Sequence, residues 1–307
     1  MICGIDIGGT NSVVGLVSKQ GELLDHESIK TAKFYSPNDL VLAIAESIVR
    51  MTKVSGQKLE GIGIGCPNGN PFHGTMVSPV NIAFQGSVPL VQLFKLYFPD
   101  ILIKLDNDAN AATIGERIYG AAKDLQDFIY ITLGTGLGSG FVVHGQLVYG
   151  HNGMAGEVGH LIIEPNGRSC GCGRKGCLER YTSASGIMIT YKELCKKHFQ
   201  KPTTDNYKDL CVLAQKDDLI AIETFEKTGA ILGLALANLA TVTAPSHIFL
   251  FGGVAQAGNI LLEPTRKYFD ENLLFSYKDT VKIELSALMS KNAGILGGAA
   301  LVQSSLL

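Results

Sequence analysis

Three cysteines lie within eight residues, in Cys170-Gly171-Cys172-Gly173-Arg174-Lys175-Gly176-Cys177, and four glycines fall between 167 and 176. A Cys-x-Cys-x4-Cys segment this dense and tightly turned is not core-like. Three thiolates and one imidazole make a closed tetrahedral set, the usual form of a structural zinc site. The expected ligands are Cys170, Cys172 and Cys177 with a nearby histidine. His160, in Gly156-Glu157-Val158-Gly159-His160, is one candidate, and His144 and His151 are others. Glu157 and Glu179 flank the cluster. Carboxylates accept well from adjacent hydroxyls, as on a sugar. The metal would fix the loop that carries them and take no part in the chemistry.

A second group is acidic. Asp106, Asn107, Asp108 and Asn110 fall within five positions, where a predicted strand ends and a helix begins. One such residue would be a helix cap. At this density, a carboxylate near glycine turns is a candidate base for an attacking hydroxyl. The spacing leaves Asp106 and Asp108 both open.

Two glycine turns complete the set. Asp6-Ile7-Gly8-Gly9-Thr10-Asn11 follows one apolar strand, and Gly134-Thr135-Gly136-Leu137-Gly138 follows another. Glycine lets the backbone approach a ligand, and the N–H groups of such a turn can point at phosphate oxygens. Asp6 is suited to Mg²⁺, held directly or through water. One turn of this kind is usually a hairpin, but one in each half of the chain points to a phosphate clamp. Gly252-Gly253, after Ile248–Phe251, is a third glycine turn, placed to let adenosine lie against the backbone.

The elements that position these groups alternate along the chain. Ile2–Ile7, Ser12–Ser18 and Leu23–Lys30 read as strands, Pro37–Lys53 as a helix, and Gly61–Gly65 and Ile101–Leu105 as strands. Asp108–Tyr119 reads as a helix. The pattern restarts with strand Phe128–Leu133, the glycine turn and strand Phe141–His144, and helices and strands alternate again from 186 onward. We read this as duplicated architecture in an α/β fold. No Gly-x4-Gly-Lys-Ser/Thr occurs, which excludes a P-loop. A strand, not a helix, follows the first turn, which argues against a dinucleotide fold.

Composition narrows the function further. The 307 residues are enough for two cores, and 26 basic against 28 acidic side chains give a formal charge of −2. Lys and Arg form no long block, so no nucleic-acid footprint is expected. Thr228–Leu262 carries no Asp, Glu, Lys or Arg, but Pro245 divides it, so a buried helix followed by a buried strand is expected there and no membrane span. The N-terminus lacks a signal-peptide pattern, and seven cysteines are an odd number, so a cytoplasmic protein without disulfides is expected.

Together these motifs resemble the ROK family (repressor, open reading frame, kinase), and within it the glucokinase-like members. The resemblance is carried by Asp6–Thr10, Asn107–Ala112, Leu133–Gly138, Gly156–His160, Cys170–Glu179, Gly252-Gly253 and Asn292–Leu301, and it covers nearly the whole chain. It implies an actin/hexokinase-like fold of two ribonuclease-H-like lobes with a nucleotide cleft between them. The expected lobes are 1–120 plus 291–307, and 121–290. It implies an ATP-dependent hexokinase or glucokinase that phosphorylates a hexose hydroxyl, the 6-hydroxyl of glucose, by direct in-line transfer, with ATP, Mg²⁺ and a structural Zn²⁺. It implies Asp108 as base, Asn107, Glu157, His160 and Glu179 on the sugar, and zinc on His160, Cys170, Cys172 and Cys177. The two ring nitrogens of His160 make its two roles compatible. A homodimer or higher homo-oligomer is expected.

The chain departs from the family pattern at two places. Asn68-Gly69-Asn70 stands where Pro-Gly is common. Val80-Asn81-Ile82 and Phe84 stand where Pro-Asn-Leu and Trp are common, in a region that lines the sugar site of relatives and makes Asn81 a further sugar ligand. Fructose, N-acetylmannosamine, N-acetylglucosamine and allose are the alternative acceptors, and polyphosphate is an alternative donor. A sugar-sensing repressor is the rival of another class. Such regulators carry a DNA-binding module ahead of the first glycine turn, whereas here the first strand starts at Ile2. An actin-like assembly ATPase would have no use for the cysteine cluster.

Overall fold

A computed structural model describes residues 1–79, 82–289 and 292–306. The chain forms two compact units. The first comprises Met1–Leu125, Leu147–Ala155 and Ser290–Leu307, and the second Gln126–Gln146 and Gly156–Met289.

In the first unit, β1 (Ile2–Ile7), β2 (Ser12–Val17), β3 (Leu23–Ile29), β4 (Gly61–Cys66) and β5 (Leu102–Asn107) form one sheet in the order β3-β2-β1-β4-β5. β1 runs antiparallel to β2 and parallel to β4, and β4 is parallel to β5. Helix α1 (Pro37–Ser55) buries Leu40, Val41, Ile44 and Ile48, starts at the Ser36 cap and stops at Gly56 in the left-handed region. Helix α2 (Asp108–Tyr119) follows β5 without a loop. A small sheet of Gly69–Asn70, Thr75–Val77 and Ser87–Val88 was not visible in the sequence pattern.

In the second unit, whose stretch Gln126–Gln146 ends one residue before the last residue of β8, β6 (Phe128–Leu133), β7 (Leu137–Val143), β8 (Gln146–Leu147), β9 (His247–Phe251) and β10 (Lys282–Leu285) take the order β8-β7-β6-β9-β10. This is the connectivity of the first sheet again, so the duplicated architecture expected from the sequence is present. Helices α3 (Ala184–Lys197), α4 (Tyr207–Gln215), α5 (Leu219–Thr243) and α6 (Asn259–Asn272) complete this unit. The uncharged run from Thr228 is the second half of α5 followed by β9. Among the described residues no helix is long and apolar enough to cross a membrane.

The first sheet explains its own sequence. β4 reads Gly-Ile-Gly-Ile-Gly, so glycine takes one face and isoleucine the other. The last helix, α7 (Ala293–Gln303), lies on the glycine face. A Cβ at Gly4 would sit 1.9 Å from the Ile295 carbonyl oxygen, and one at Gly63 1.8 Å from that of Gly298. Side chains there would expel the helix. Ile62 and Ile64 are fully buried on the opposite side, with Val41, Ile44 and Phe94 in the same core.

Candidate functional site

Strand register builds the acidic end of the first unit. Asp6 of β1 pairs with Gly65 of β4, which pairs with Asp106 of β5. The two acids therefore share one row at the carboxyl ends of parallel strands, where ligands bind in open α/β sheets. Glycine between them lets α2 pack closely over the row, where a Cβ at Gly65 would lie 3.2 Å from the Ala111 Cβ and 3.7 Å from the Asp108 Cα. α7 begins at the same place, where a Cβ on Gly294 would lie 2.3 Å from an Asp6 carboxylate oxygen.

Asp106 and Asp108 are in different situations. Asp106 is 1% exposed. Its Oδ1 accepts from the Asn110 side-chain amide at 2.9 Å and the Asn107 N–H at 2.7 Å, and its Oδ2 accepts from the Tyr149 hydroxyl at 2.8 Å. Burial pushes its pKa up to about 6, with those three donors opposing the rise. Asn107 is the N-cap of α2, its side chain accepting from the N–H of Ala109 and Asn110. Asp108, the first residue of α2, is exposed, and its Oδ1 accepts from the Ala109 N–H at 2.8 Å. The protein mass around it pushes its carboxyl above the usual range, although its exposure lets solvent screen part of that push. Asp6 is half-buried and rises to about 6, through burial first and then repulsion from Asp108. The turn beyond Asp6 closes with Gly8 N–H donating to the Asn11 carbonyl at 3.1 Å, leaving Thr10 and Asn11 exposed.

The second unit carries the other groups. In its glycine turn the Gly134 N–H donates to the Gly136 carbonyl at 2.9 Å, and the Gly138 N–H to the Thr132 hydroxyl at 3.1 Å. The Leu137 N–H donates to Glu179 Oε2 at 3.0 Å, which binds that acid to the turn. Thr135 is exposed. Gly252, at φ 102°, lies so close that a Cβ would be 2.4 Å from the Leu133 carbonyl oxygen, and the Val254 N–H donates to that oxygen at 3.0 Å. The Gly252-Gly253 turn thus sits directly beside the start of the Gly134 turn.

His160, Cys170, Cys172 and Cys177 converge, with their ligand atoms all within 4.8 Å of one another. His160 Nδ1 is 3.7 Å from Cys170 Sγ, and Cys172 Sγ is 3.6 Å from Cys177 Sγ. Tetrahedral zinc with bonds of about 2.3 Å to sulfur requires ligand separations of about 3.8 Å, so the donor set fits zinc. The N–H groups of Arg174 lower the exposed Cys172 thiol to about 6, towards the thiolate a metal needs. His144 and His151 are not in the cluster. Glu179 is two residues beyond Cys177, and the intervening Leu178 is fully buried, its N–H donating to the Leu161 carbonyl at 2.8 Å. Glu157 is exposed and starts the short turn Val158–His160.

Asn81 lies outside the described residues. Two contributors escaped the sequence reading. Tyr149 is one, because nothing local marks a tyrosine that bonds Asp106 across 43 positions. Gly294 is the other, although the Asn292–Leu301 match contains it.

The ROK family model matches residues 2–305. The glucokinase of Thermotoga maritima is 32% identical over 315 residues, covering 99% of this chain and 98% of the relative. The solved structure of a ROK family glucokinase from Streptomyces griseus, in complex with glucose and AMPPNP, is 30% identical with a TM-score of 0.79, covering 98% of each chain. The xylose repressor of Caldicellulosiruptor bescii is 28% identical over 321 residues, covering 100% of this chain and 79% of the repressor.

Proposed function

The chain is a sugar kinase of the ROK family, and we propose that it moves the γ-phosphoryl group of ATP onto the 6-hydroxyl of glucose by direct in-line attack, with Asp108 as base. The observation that carries the choice of base is the contrast between two neighbouring acids. Asp106 is buried with both oxygens occupied by protein donors, whereas Asp108 is exposed at a helix start. A base has to reach the proton it removes, and its efficiency rises as its pKa approaches the working pH. Asp108 satisfies the first condition, and the direction of its shift favours the second.

The other roles follow in the same reading. Asn81, Asn107, Glu157, His160 and Glu179 hold the sugar. His160 turns Nδ1 towards the thiols, which leaves Nε2 for a sugar hydroxyl. Glu179 gives Oε2 to the Leu137 N–H, which leaves Oε1 for the sugar and links that acid to the second phosphate turn. Gly8, Gly9, Thr10 and Asn11, with Gly134, Thr135 and Gly136, take the phosphates, and Gly252-Gly253 takes adenosine. Asp6 fits Mg²⁺, since its half-buried carboxylate already faces the repulsion of Asp108, and a cation relieves that. Mg²⁺ supplies charge neutralisation to the transferring phosphate. Zinc on His160, Cys170, Cys172 and Cys177 holds the segments that carry Glu157 and Glu179.

Phosphorus NMR of the product from Mg-ATP and glucose tests this reading. A sugar 6-phosphate is expected, with inverted configuration when the γ-phosphorus is isotopically chiral. Phosphate on another carbon refutes the acceptor, and retention refutes direct transfer. The similarity to xylose repressors makes sugar sensing the second reading, and it requires sugar binding without sugar-dependent turnover.

A further inference from the structure

The chain leaves the second unit after Gln146, returns to the first for Leu147–Ala155 and goes back at Gly156. Two residues of this excursion, Asn152 and Tyr149, hold it to the rest of the first unit, and one bond closes it on itself. The Asn70 side-chain amide donates to the Asn152 carbonyl at 2.9 Å. The Ala155 N–H donates to the Tyr149 carbonyl at 3.1 Å. The Tyr149 hydroxyl donates to Asp106 Oδ2 at 2.8 Å, and the Tyr149 ring packs on Phe72 with centroids 5.8 Å apart.

Asp106 is the hub of this arrangement. One carboxylate joins three pieces of chain: Tyr149 from the excursion, the Asn107 backbone at the end of β5, and Asn110 in the first turn of α2. Asn107 caps that turn and Asp108 is its first residue. The direction in which α2 presents Asp108 is therefore fixed by a carboxylate that itself needs a donor on Oδ2. Among the described residues Tyr149 is the side chain that supplies it.

We propose that Tyr149 is a positioning residue for the phosphoryl transfer: its hydroxyl orients Asp106, which aligns Asn107 and the start of α2 so that Asp108 meets the sugar hydroxyl. This rests on Asp108 being the base. The Tyr149 hydroxyl bonds Asp106 and not Asp108, so in this reading its effect travels through the Asp106 carboxylate. Removing the hydroxyl leaves Oδ2 buried without its donor and lets the carboxylate turn, and reacting groups misplaced by a fraction of an ångström lose rate steeply.

The test is Tyr149→Phe, which keeps the ring on Phe72, measured alone and combined with Asp108→Asn. Circular dichroism and calorimetric glucose binding establish that each variant is folded. In the single variant kcat is expected to fall about ten- to hundredfold, with KM for glucose and ATP within about twofold of wild type. In the Asp108→Asn background, read at micromolar enzyme over hours, the added loss is expected to shrink below about twofold, because the two residues act in series. Unchanged kcat in Tyr149→Phe overturns the proposal. So does a loss of the same size in both backgrounds, or a change confined to KM. Near-normal turnover in Asp108→Asn alone is a different failure, because it removes the base reading on which the proposal stands.

Discussion

Replacing Asp108 by asparagine separates chemistry from stability. The new side chain keeps an oxygen for the Ala109 N–H, which Asp108 now engages at 2.8 Å, so the start of α2 survives. It loses the charge that favours a helix N-terminus, about 0.3–1 kcal/mol at an exposed site, and it relieves the repulsion felt by Asp6. Folding stability should therefore change by less than about 1 kcal/mol. The rate should not be spared, since removing a general base costs about 10²–10⁴ in kcat, roughly 3–5 kcal/mol. Asp106→Ala should do the reverse in kind. It strips partners from the Asn110 amide, the Asn107 N–H and the Tyr149 hydroxyl. Each buried donor left unpaired costs about 1–3 kcal/mol, and the three do not add fully. A loss of about 2–4 kcal/mol, or roughly 5–15 °C in melting temperature, is expected. The assay is coupled ADP release beside differential scanning calorimetry. Near-normal turnover in Asp108→Asn, or a variant that no longer folds, refutes the reasoning.

Two further outcomes follow from the metal cluster and the buried acids. Elemental analysis should find about one zinc per chain on the four convergent ligands, and chelation should lower both melting temperature and turnover as Glu179 and His160 lose their anchorage. Protein that is fully active and carries no zinc contradicts this. Activity and stability should also part company on the acid side. Asp6 and Asp106 are raised to about 6 in the folded protein, above their unfolded values near 4. Raised folded values favour the protonated form, so the two acids contribute most stability below about pH 4 and lose that contribution as pH rises through 6. On the acid side kcat should fall as Asp108 takes up a proton, at a pH above that of an ordinary aspartate because its carboxyl is raised, while Asp6 and Asp106 add stability as pH falls through 6. A kcat without an acid limb above the ordinary aspartate range refutes the base assignment.

The sequence exposed the site where chemistry demands particular residues close together along the chain. The cysteine cluster, the Asn107–Asn110 cap and the two glycine turns were all local, and the structure brings the cysteines and His160 together. Where a residue's role depends on distant pairing, the sequence was silent. The second strand of the second unit was expected at Phe141, yet β7 starts at Leu137, because Gly138 and Gly140 pair with Thr132 and Tyr130 instead of turning. Glycine in a strand and glycine in a turn look alike until the partner strand is known. β5 likewise runs on to Asn107, where the apolar pattern had stopped at Leu105, since its last two residues pair with Gly65 and Cys66 across the sheet. Sequence spacing leaves Asp106 and Asp108 alike, because what separates them is burial and a tyrosine 43 positions from Asp106.

The most direct measurement is ADP release with Mg-ATP across a panel of hexoses and N-acetylhexosamines. The account predicts sugar-dependent turnover, strongest on glucose. Strong turnover on another sugar keeps the kinase and makes Asn68–Asn70 and Phe84 the determinants to examine. No sugar-dependent release from any acceptor, with ATP or polyphosphate as donor, contradicts the account.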